Sequence, residues 1–339
     1  MNIEQAFSEK FENYYRKDQF NGVIAIAEND EITYQHAWGI ANLDQKPLKT
    51  SDIFNLASVS KQFTALCIML LCEEDKLNYD DVISEYIEEF QDTAYEKITI
   101  RHLLQHTSGL PDYMELLEEH WDDENQVVGN NDIIELFTEH QPELLFKPAK
   151  KYDYCNTGYA FLASVVERVS EQSFEDFLQE RIFQPLKMKN SFGYRLSNEA
   201  PPHETVVGWE RDGDGDGDDY SENHSSYLDG VIGDGNIFSN VADLVKYHAA
   251  LFTDKLVSQE TLEEAYTPTE LSNGKISYYG FGWDLFESGT FVSHTGSWMG
   301  FQTYFLRDLE SQQAYIILDN STNEKLHDQV DQIIDAYYS

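Results

Sequence analysis

The sequence predicts an α+β fold in which one antiparallel sheet is built from both chain ends, with flanking helices and an all-helical region between them. Strand-type runs lie near the N-terminus and again in the last third of the chain, while the middle shows the 3.6-residue period of helices. The predicted sheet region covers residues 1–80 and 205–339, and the helical insertion covers residues 81–204. Strands that are distant in the chain must therefore meet in space.

The N-terminal elements follow in order. Residues 2–17 carry apolar side chains at helical spacing, which predicts an amphipathic helix. Two β-rich runs, 23–27 and 32–40, are separated by a short polar link, which predicts a β-hairpin. Residues 58–76 then show apolar side chains repeating at helical spacing, which predicts a largely buried helix.

The middle of the chain predicts helices, and the last third predicts strands. Helical spacing recurs in three segments, at 98–106, 131–140 and 158–170. Short strand-type runs with turns between them follow at 278–286, 290–293, 300–306 and 312–318. The chain closes with a predicted helix over 323–338.

The composition favours a folded and strongly acidic protein. The 339 residues are 41% hydrophobic and 14% aromatic, which suffices for a large core. With 23 basic and 62 acidic residues the net charge is −39, and such a surface repels nucleic-acid phosphates and anionic lipids. No apolar run approaches the length of a membrane span. We therefore expect no nucleic-acid partner and no integral membrane segment, and the oligomeric state stays open.

The N-terminus and the cysteines bear on the cellular compartment. Residues 1–5 show no basic segment leading into an apolar one, which predicts a cytoplasmic protein as the chain is given, or a periplasmic or extracellular one if a signal peptide was removed. Cys67, Cys72 and Cys155 have no metal-ligand spacing. We expect them to be buried free thiols.

One acidic segment has the alternating acids and glycines of a calcium loop. Asp212, Asp214, Asp216 and Asp218 would be the ligands. The twelfth position is Asn223 instead of a bidentate glutamate, and no flanking helices are evident. A solvated acidic loop is the alternative interpretation.

The sharpest short motif is Ser58-Val59-Ser60-Lys61, at the start of the predicted buried helix. Serine at i and lysine at i+3 lie one turn apart on the same face, so the amine can reach the hydroxyl. A serine hydroxyl needs an adjacent base, and lysine serves as one when desolvation or a nearby positive charge lowers its pKa. Taken alone, the pattern favours an N-cap serine followed by a surface lysine.

Two further motifs follow in chain order. Tyr154-Cys155-Asn156 precedes a predicted helix, and His294-Thr295-Gly296-Ser297 lies in a predicted strand. In this order and spacing the three motifs resemble those of penicillin-recognising serine enzymes. The chain resembles class C β-lactamase-like serine hydrolases, which include D-alanyl-D-alanine carboxypeptidases, D-aminopeptidases and esterases. Further matching stretches are 20–23, 100–110, 156–159 and 279–283.

The resemblance covers nearly the whole chain and implies the β-lactamase/transpeptidase-like fold. It implies that Ser58 is acylated and that Lys61 accepts its proton. Tyr154 would share the proton relay, as a phenolate or a phenol, and protonate the leaving group. Asn156 would orient Lys61 and the substrate amide. The backbone N–H groups of Ser58 and Ser297 would form the oxyanion hole.

The resemblance also implies that His294, Thr295 and Gly296 bind substrate together with Ser297. His294 is a departure, because dedicated β-lactamases of this class carry a lysine there. Lysine holds a fixed positive charge toward a substrate carboxylate, whereas histidine is mostly neutral at pH 7. We therefore expect a carboxypeptidase- or esterase-like enzyme instead of an efficient β-lactamase.

The leading hypothesis is a serine hydrolase that works through an acyl-enzyme on a small ester, amide, β-lactam or D-amino-acid peptide. It needs no metal or organic cofactor. The alternative is a non-catalytic member of the same fold that binds peptides or self-associates. Hydrolysis of a chromogenic ester that depends on Ser58 discriminates between the two.

Overall fold

Strands from the two ends of the chain lie side by side in this computed structural model, which describes residues 2–197, 200–211, 220–323 and 325–338. The strands are β1 (Gly22–Glu28), β2 (Glu31–Trp38), β3 (Phe54–Asn55), β4 (Phe192–Gly193), β5 (Gly208–Arg211), β6 (Tyr220–Asn223), β7 (Ile237–Ser239), β8 (Thr269–Glu270), β9 (Ile276–Ser277), β10 (Asp284–Leu285), β11 (Phe291–Trp298), β12 (Phe301–Asp308) and β13 (Gln313–Asp319).

Helices cover both faces of the sheet and fill the middle of the chain. The α-helices are α1 (Ile3–Arg16), α2 (Lys61–Glu73), α3 (Ile100–Leu104), α4 (Tyr113–His120), α5 (Asn130–His140), α6 (Asn156–Ser170), α7 (Phe174–Leu178), α8 (Gln184–Leu186), α9 (Val241–Ala250), α10 (Gln259–Ala265) and α11 (Leu326–Tyr338). Short 3₁₀ turns lie at Ala57–Ser60, Ile83–Glu85, Glu88–Phe90 and Tyr227–Asp229, and a π turn lies at Gln179–Phe183.

The central sheet joins the two chain ends. Within the described ranges its six strands run in the order β10-β11-β12-β13-β1-β2, and all neighbours are antiparallel. β1 pairs with β13 from Gly22 opposite Asp319 to Glu28 opposite Gln313. All residues of β1 except the last are buried. A continuous apolar sequence such as this one is typical of a strand that is covered on both faces. The predicted fold class is confirmed.

The side chains of β1 alternate between two apolar layers. Ile24 and Ile26 lie in a cluster with Phe7 and with other residues of α1 and α11. Val23 and Ala25 point the other way, into the larger core that contains α2. One sheet face is therefore covered by helices from both ends of the chain, and the other packs on the interior that holds the site.

Helix α2 passes through this interior. Residues 61–71 are all buried, and the apolar character of the helix on most sides accounts for that position. Helix α6 packs against it. Gly282 approaches its first turn so closely that a Cβ there would lie 2.8 Å from the carbonyl oxygen of Lys61. The fold thus buries the first residue of α2, a lysine, on every side.

The structure corrects two predicted elements. The strand predicted over 278–286 is wrong for most of its length, because only β10 forms there and Gly282 turns the chain with a φ of +78°. The helix predicted from residue 58 begins at Lys61, after the 3₁₀ turn at Ala57–Ser60. Helices α4, α7, α8, α9 and α10 are additional elements that the periodicity did not predict.

Three remaining predictions concern membranes, metals and thiols. In the described ranges, no helix has both the length and the apolar character for crossing a bilayer. The acidic segment with Asp212, Asp214, Asp216 and Asp218 lies outside the described residues. Elsewhere in the part of the chain that the structure describes, no three His, Cys, Asp or Glu side chains group as metal ligands. The three cysteines are free thiols, two of them buried and one, Cys72, partly exposed.

Candidate active site

Ser58 lies on a sharp 3₁₀ turn that leads into α2. The residue before it, Ala57, has a φ of +48°, a left-handed conformation that costs a non-glycine residue about 1 kcal/mol. The Asn55 carboxamide accepts a hydrogen bond from the Ala57 N–H at 2.8 Å. The Ser60 hydroxyl accepts another from the Ile237 N–H at 3.1 Å. These side chains hold the turn in shape and leave Ser58 lining a cleft.

Lys61 is fully buried, and its amine meets three oxygen atoms. Nζ lies 3.0 Å from Ser58 Oγ, 2.9 Å from Asn156 Oδ1 and 2.7 Å from the Asp234 carbonyl oxygen. The last two oxygens can only accept hydrogen bonds, so they occupy the two N–H groups of a neutral amine. The lone pair of the neutral amine then faces the Ser58 hydroxyl, the position of a general base.

The charge state of Lys61 depends on two opposing effects. Burial lowers the pKa of Lys61 to about 8, while the negative charges of Asp234 and Asp112 act in the opposite direction. Asp234 is itself buried, and its Oδ2 accepts a hydrogen bond from the Tyr113 hydroxyl at 3.0 Å. Asp112 accepts the Asn156 N–H at 2.8 Å. In a fraction of the molecules, the Lys61 amine is therefore neutral near physiological pH.

Tyr154 completes the proton-handling groups. Desolvation raises the pKa of Tyr154 well above its usual value, although the neighbouring Ser58 side chain acts in the opposite direction. The centroid of the Tyr154 ring lies 4.9 Å from Lys61 Nζ and 4.3 Å from the centroid of the buried His106 ring. Tyr154 is therefore a phenol at neutral pH, which makes it a proton donor and places Lys61 as the base.

His106 contacts the Tyr154 ring and is not among the described residues that line the cleft. Its Nδ1 accepts the Cys155 N–H at 3.1 Å, so the other ring nitrogen carries the proton. Burial lowers the pKa of His106 well below its usual value, and Lys61 adds to this effect. His106 is a neutral support for the Tyr154 ring.

His294 is neutral and buried. Its Nδ1 lies 2.6 Å from the Thr295 carbonyl oxygen, to which it must donate, and Nε2 therefore accepts from the Tyr279 hydroxyl at 2.9 Å. Burial, with the nearby charge of Lys61, lowers the pKa of His294 to about 3. The position that holds lysine in dedicated β-lactamases thus carries no positive charge here.

Gly296 brings β11 against the turn that carries Ser58. A Cβ at this position would lie 2.5 Å from the Leu56 carbonyl oxygen and would also strike the Thr303 hydroxyl. The Thr303 hydroxyl donates to the same Leu56 oxygen at 2.8 Å, which fixes the distance between strand and turn. Ser297 follows Gly296 and lines the cleft with Ser58. Thr295 is partly exposed on the same strand.

The cleft has a volume of about 380 Å³. It brings together Ser58, Asn156 and Ser297 from three distant parts of the chain, with Lys61 beneath and Tyr154 beside them. Its remaining described lining residues are Ala57, Tyr113, Met114, Leu228, Val231, Asp234, Gly235, Asn236 and Trp298. Among the described residues that line it, none is Lys or Arg. No role for Asp234, Asp112 or Tyr279 follows from the sequence motifs, although Tyr279 begins the matching stretch 279–283.

Comparisons with known proteins identify the family of this chain. The chain is 38% identical to penicillin-binding protein 4* of Bacillus subtilis over 330 residues, which cover 94% of this chain and 72% of that protein. It is 28% identical to a D-aminopeptidase of Brucella anthropi, over 83% of this chain and 52% of that protein.

The structure superimposes on the octameric penicillin-binding protein homologue from Pyrococcus abyssi with a TM-score of 0.80 and 26% identity, over 95% of this chain and 74% of that one. The sequence profile of the Beta-lactamase family matches residues 7–338. The chain therefore belongs to the Beta-lactamase family, the serine hydrolase family of penicillin-binding proteins and D-aminopeptidases.

Proposed function

We propose that this protein hydrolyses a small ester, amide or D-amino-acid peptide through an acyl-enzyme at Ser58. The observation that carries the proposal is the 3.0 Å contact between Ser58 Oγ and Lys61 Nζ, together with the burial that lowers the pKa of Lys61 to about 8. A lysine on the surface would be protonated and could not accept the serine proton.

Acylation moves one proton around the site. Ser58 Oγ attacks the substrate carbonyl carbon while its proton passes to neutral Lys61. The Tyr154 hydroxyl gives its proton to the leaving oxygen or nitrogen as that bond breaks, and the Lys61 ammonium then returns a proton to Tyr154. The N–H groups of Ser58 and Ser297 would stabilise the oxyanion that develops in the transition state.

Deacylation uses the same groups. Water attacks the Ser58 ester and gives its proton to Lys61, the acyl–oxygen bond breaks, and the Lys61 ammonium returns that proton to Ser58 Oγ. The product acid leaves with the oxygen atom of the water. Substrate, water and the three side chains account for every proton in the cycle.

The charge of the cleft supports a choice among substrates. β-Lactams and C-terminal D-peptides both present a carboxylate, and a fixed cation is the usual means of binding one. His294 is neutral, and no Lys or Arg is among the described residues that line the cleft. We therefore favour esters, amides and D-amino-acid peptides without a carboxylate beside the scissile bond over β-lactams and C-terminal D-peptides, with slow acylation by penicillins.

The test combines hydrolysis of a p-nitrophenyl ester with intact-mass spectrometry. The wild type should show turnover and a transient adduct, and Ser58→Ala should show neither while it unfolds at the same temperature. The exposed serine in Ser51→Ala is a matched control that should behave as the wild type. Turnover by Ser58→Ala at the wild-type rate would refute the proposal. A wild type that turns over no ester, amide or D-peptide would favour the non-catalytic alternative.

A further inference from the structure

A second chamber lies next to the catalytic cleft. It has a volume of about 820 Å³, more than twice the volume of the cleft, which is about 380 Å³. Three residues, Asp229, Asn236 and Trp298, line both spaces. Side chains that border two neighbouring spaces form the wall between them. These three residues therefore make up a partition between the cleft and the chamber.

The chamber is suited to an apolar group. Apolar side chains form much of its lining, including Leu196, Val206, Phe238 and Phe301. Among the described residues that line it, Asp229 is the one carboxylate and none is Lys or Arg. Its volume lies within the range of about 300–1,000 Å³ that is usual for ligand pockets. Without the partition, the chamber would therefore accept an extended apolar chain.

The hairpin between β11 and β12 fixes the position of Trp298, the last residue of β11. The two turn residues, Met299 and Gly300, have φ values of +47° and +82°, as a tight two-residue turn of type I′ requires. Trp298 pairs with Phe301 across this turn. A Cβ at Gly300 would lie 2.4 Å from the main-chain nitrogen of Trp209, so β5 packs directly against the turn. The backbone therefore has little freedom to move the indole ring.

The indole ring is also held from the opposite side of the partition. Nε1 of Trp298 donates a hydrogen bond to Asp229 Oδ1 at 2.7 Å. The other carboxylate oxygen of Asp229 accepts the Ser226 N–H at 2.6 Å, and its main-chain oxygen accepts from the Asn236 side-chain amide at 3.2 Å. These contacts join the end of β11 to the 3₁₀ turn Tyr227–Asp229. The partition is therefore closed by hydrogen bonds and does not depend on the bulk of the ring alone.

The partition lies on the acyl side of the substrate. In the proposed mechanism Tyr154 protonates the leaving group, so the leaving group must face Tyr154, which is not among the described residues that line the chamber. The Ser297 N–H would bind the oxyanion, and Trp298 is the next residue along the same strand. The group that stays attached to the carbonyl carbon therefore extends toward Trp298.

From this arrangement we infer that Trp298 is a specificity-determining residue that limits the acyl group of the substrate to a short one. The inference rests on the proposed acyl-enzyme function and names its substrate class, esters and amides of short acyl groups. A long apolar chain would meet the indole ring before it reached the chamber. Loss of the ring would join the cleft to the chamber, and the enlarged site would then accept such a chain.

The inference can be tested first on the wild type, without any substitution. The esters p-nitrophenyl butanoate and p-nitrophenyl octanoate have the same leaving group and differ in the length of the acyl chain. At concentrations below those at which the octanoate forms micelles, kcat/KM for the butanoate should be about tenfold or more above that for the octanoate. Equal values, or a higher value for the octanoate, would overturn the inference.

The Trp298→Ala variant identifies the residue responsible. The ratio of kcat/KM for the octanoate to that for the butanoate should rise about tenfold or more, because each methylene group that enters the chamber contributes about a fourfold gain. Trp298→Leu should raise the ratio in the same direction and replaces the alanine variant if that one does not fold. Met299→Ala is the matched control, since Met299 is adjacent and lines the chamber but not the cleft. Its ratio should stay within about threefold of the wild-type value.

A comparison of leaving groups checks the orientation of the substrate. The ratio of kcat/KM between p-nitrophenyl and phenyl butanoate should be the same in the wild type and in Trp298→Ala, because the acyl group does not change. A shift in this ratio, with no shift in the acyl series, would show that Trp298 borders the leaving group and would overturn the inference.

Other outcomes separate the inference from the proposed function. An unchanged acyl preference in Trp298→Ala and Trp298→Leu, or an equal rise in Met299→Ala, would overturn the role of Trp298. Ser58-dependent hydrolysis of both esters at equal rates by the wild type would leave the acyl-enzyme proposal standing and remove only the limit on the acyl group. Hydrolysis that persists in Ser58→Ala would refute the proposed function and the inference together.

Discussion

The hydroxyl of Tyr279 lies 2.9 Å from Nε2 of His294, and this contact selects one tautomer of the histidine. The opposite ring nitrogen donates to the Thr295 carbonyl oxygen, so both nitrogens are satisfied by neutral partners. Protonation of His294 would put an N–H group on Nε2. This donor would face the O–H donor of Tyr279 unless the Tyr279 hydroxyl rotated. His294 therefore stays uncharged at neutral pH.

Tyr279→Phe should lower the free energy of unfolding by about 1–2 kcal/mol, because the buried Nε2 of His294 loses its donor. Tyr278→Phe is the matched control, since Tyr278 is adjacent and 39% exposed, and it should change the free energy of unfolding by less than about 0.5 kcal/mol. Urea denaturation at pH 7 measures both. Similar losses in the two variants would show that the hydrogen bond contributes nothing specific.

Hydrolysis of a non-ionising ester should increase with pH. Burial lowers the pKa of Lys61 to about 8, and the neutral amine is the active base, so kcat/KM rises as pH passes through that region. The pKa of Tyr154 is raised well above its usual value, so its phenol form persists across the same range. A pH profile from 5 to about 9.5 measures the midpoint. A midpoint near 6 would contradict Lys61 as the base.

Gly296→Ala should reduce both stability and turnover. The added methyl group would press on the Leu56 carbonyl oxygen and separate β11 from the turn that carries Ser58, at a cost of about 2 kcal/mol or more. Gly158→Ala is a suitable control, because its Cβ would make ordinary contacts of 3.5–3.6 Å and alanine favours the helix. Thermal unfolding and ester hydrolysis are the measurements. Full activity in Gly296→Ala would mean that this close approach is unnecessary.

Stability should fall as the pH rises because of Asp319. Burial raises the pKa of Asp319 to about 8, against about 4 in the unfolded chain, so the folded state retains a proton that the unfolded state releases. Folding stability is therefore lost progressively between about pH 4 and pH 8. Asp319→Asn should shrink the difference in Tm between pH 5 and pH 9. An undiminished difference in the variant would exclude Asp319 as its source.

The sequence predicted those parts of the site that depend on short spacing. Ser58 and Lys61 are three residues apart at the start of an apolar helix, so their contact follows from helix geometry and burial. The sheet was also predictable, because β1 and the strands near the C-terminus are distinct apolar runs.

Contacts made by distant or chemically ordinary groups were not predictable. Asp234 binds Lys61 through a main-chain carbonyl, a group that every residue possesses. Tyr279 falls in a segment whose pattern predicts a strand, yet the chain turns there, and that turn helps to bring the hydroxyl to His294. The low pKa of His294 results from burial, which only the assembled fold determines.

The pairing of β1 with β13 has a consequence for synthesis on the ribosome. At typical translation rates, the apolar strand Gly22–Glu28 must wait on the order of tens of seconds before its partner Gln313–Asp319 emerges. During that interval the strand edge is available to chaperones or to other nascent chains. The strand with Ser297 is also made late, so a nascent chain holding Ser58 and Lys61 cannot yet assemble the complete cleft.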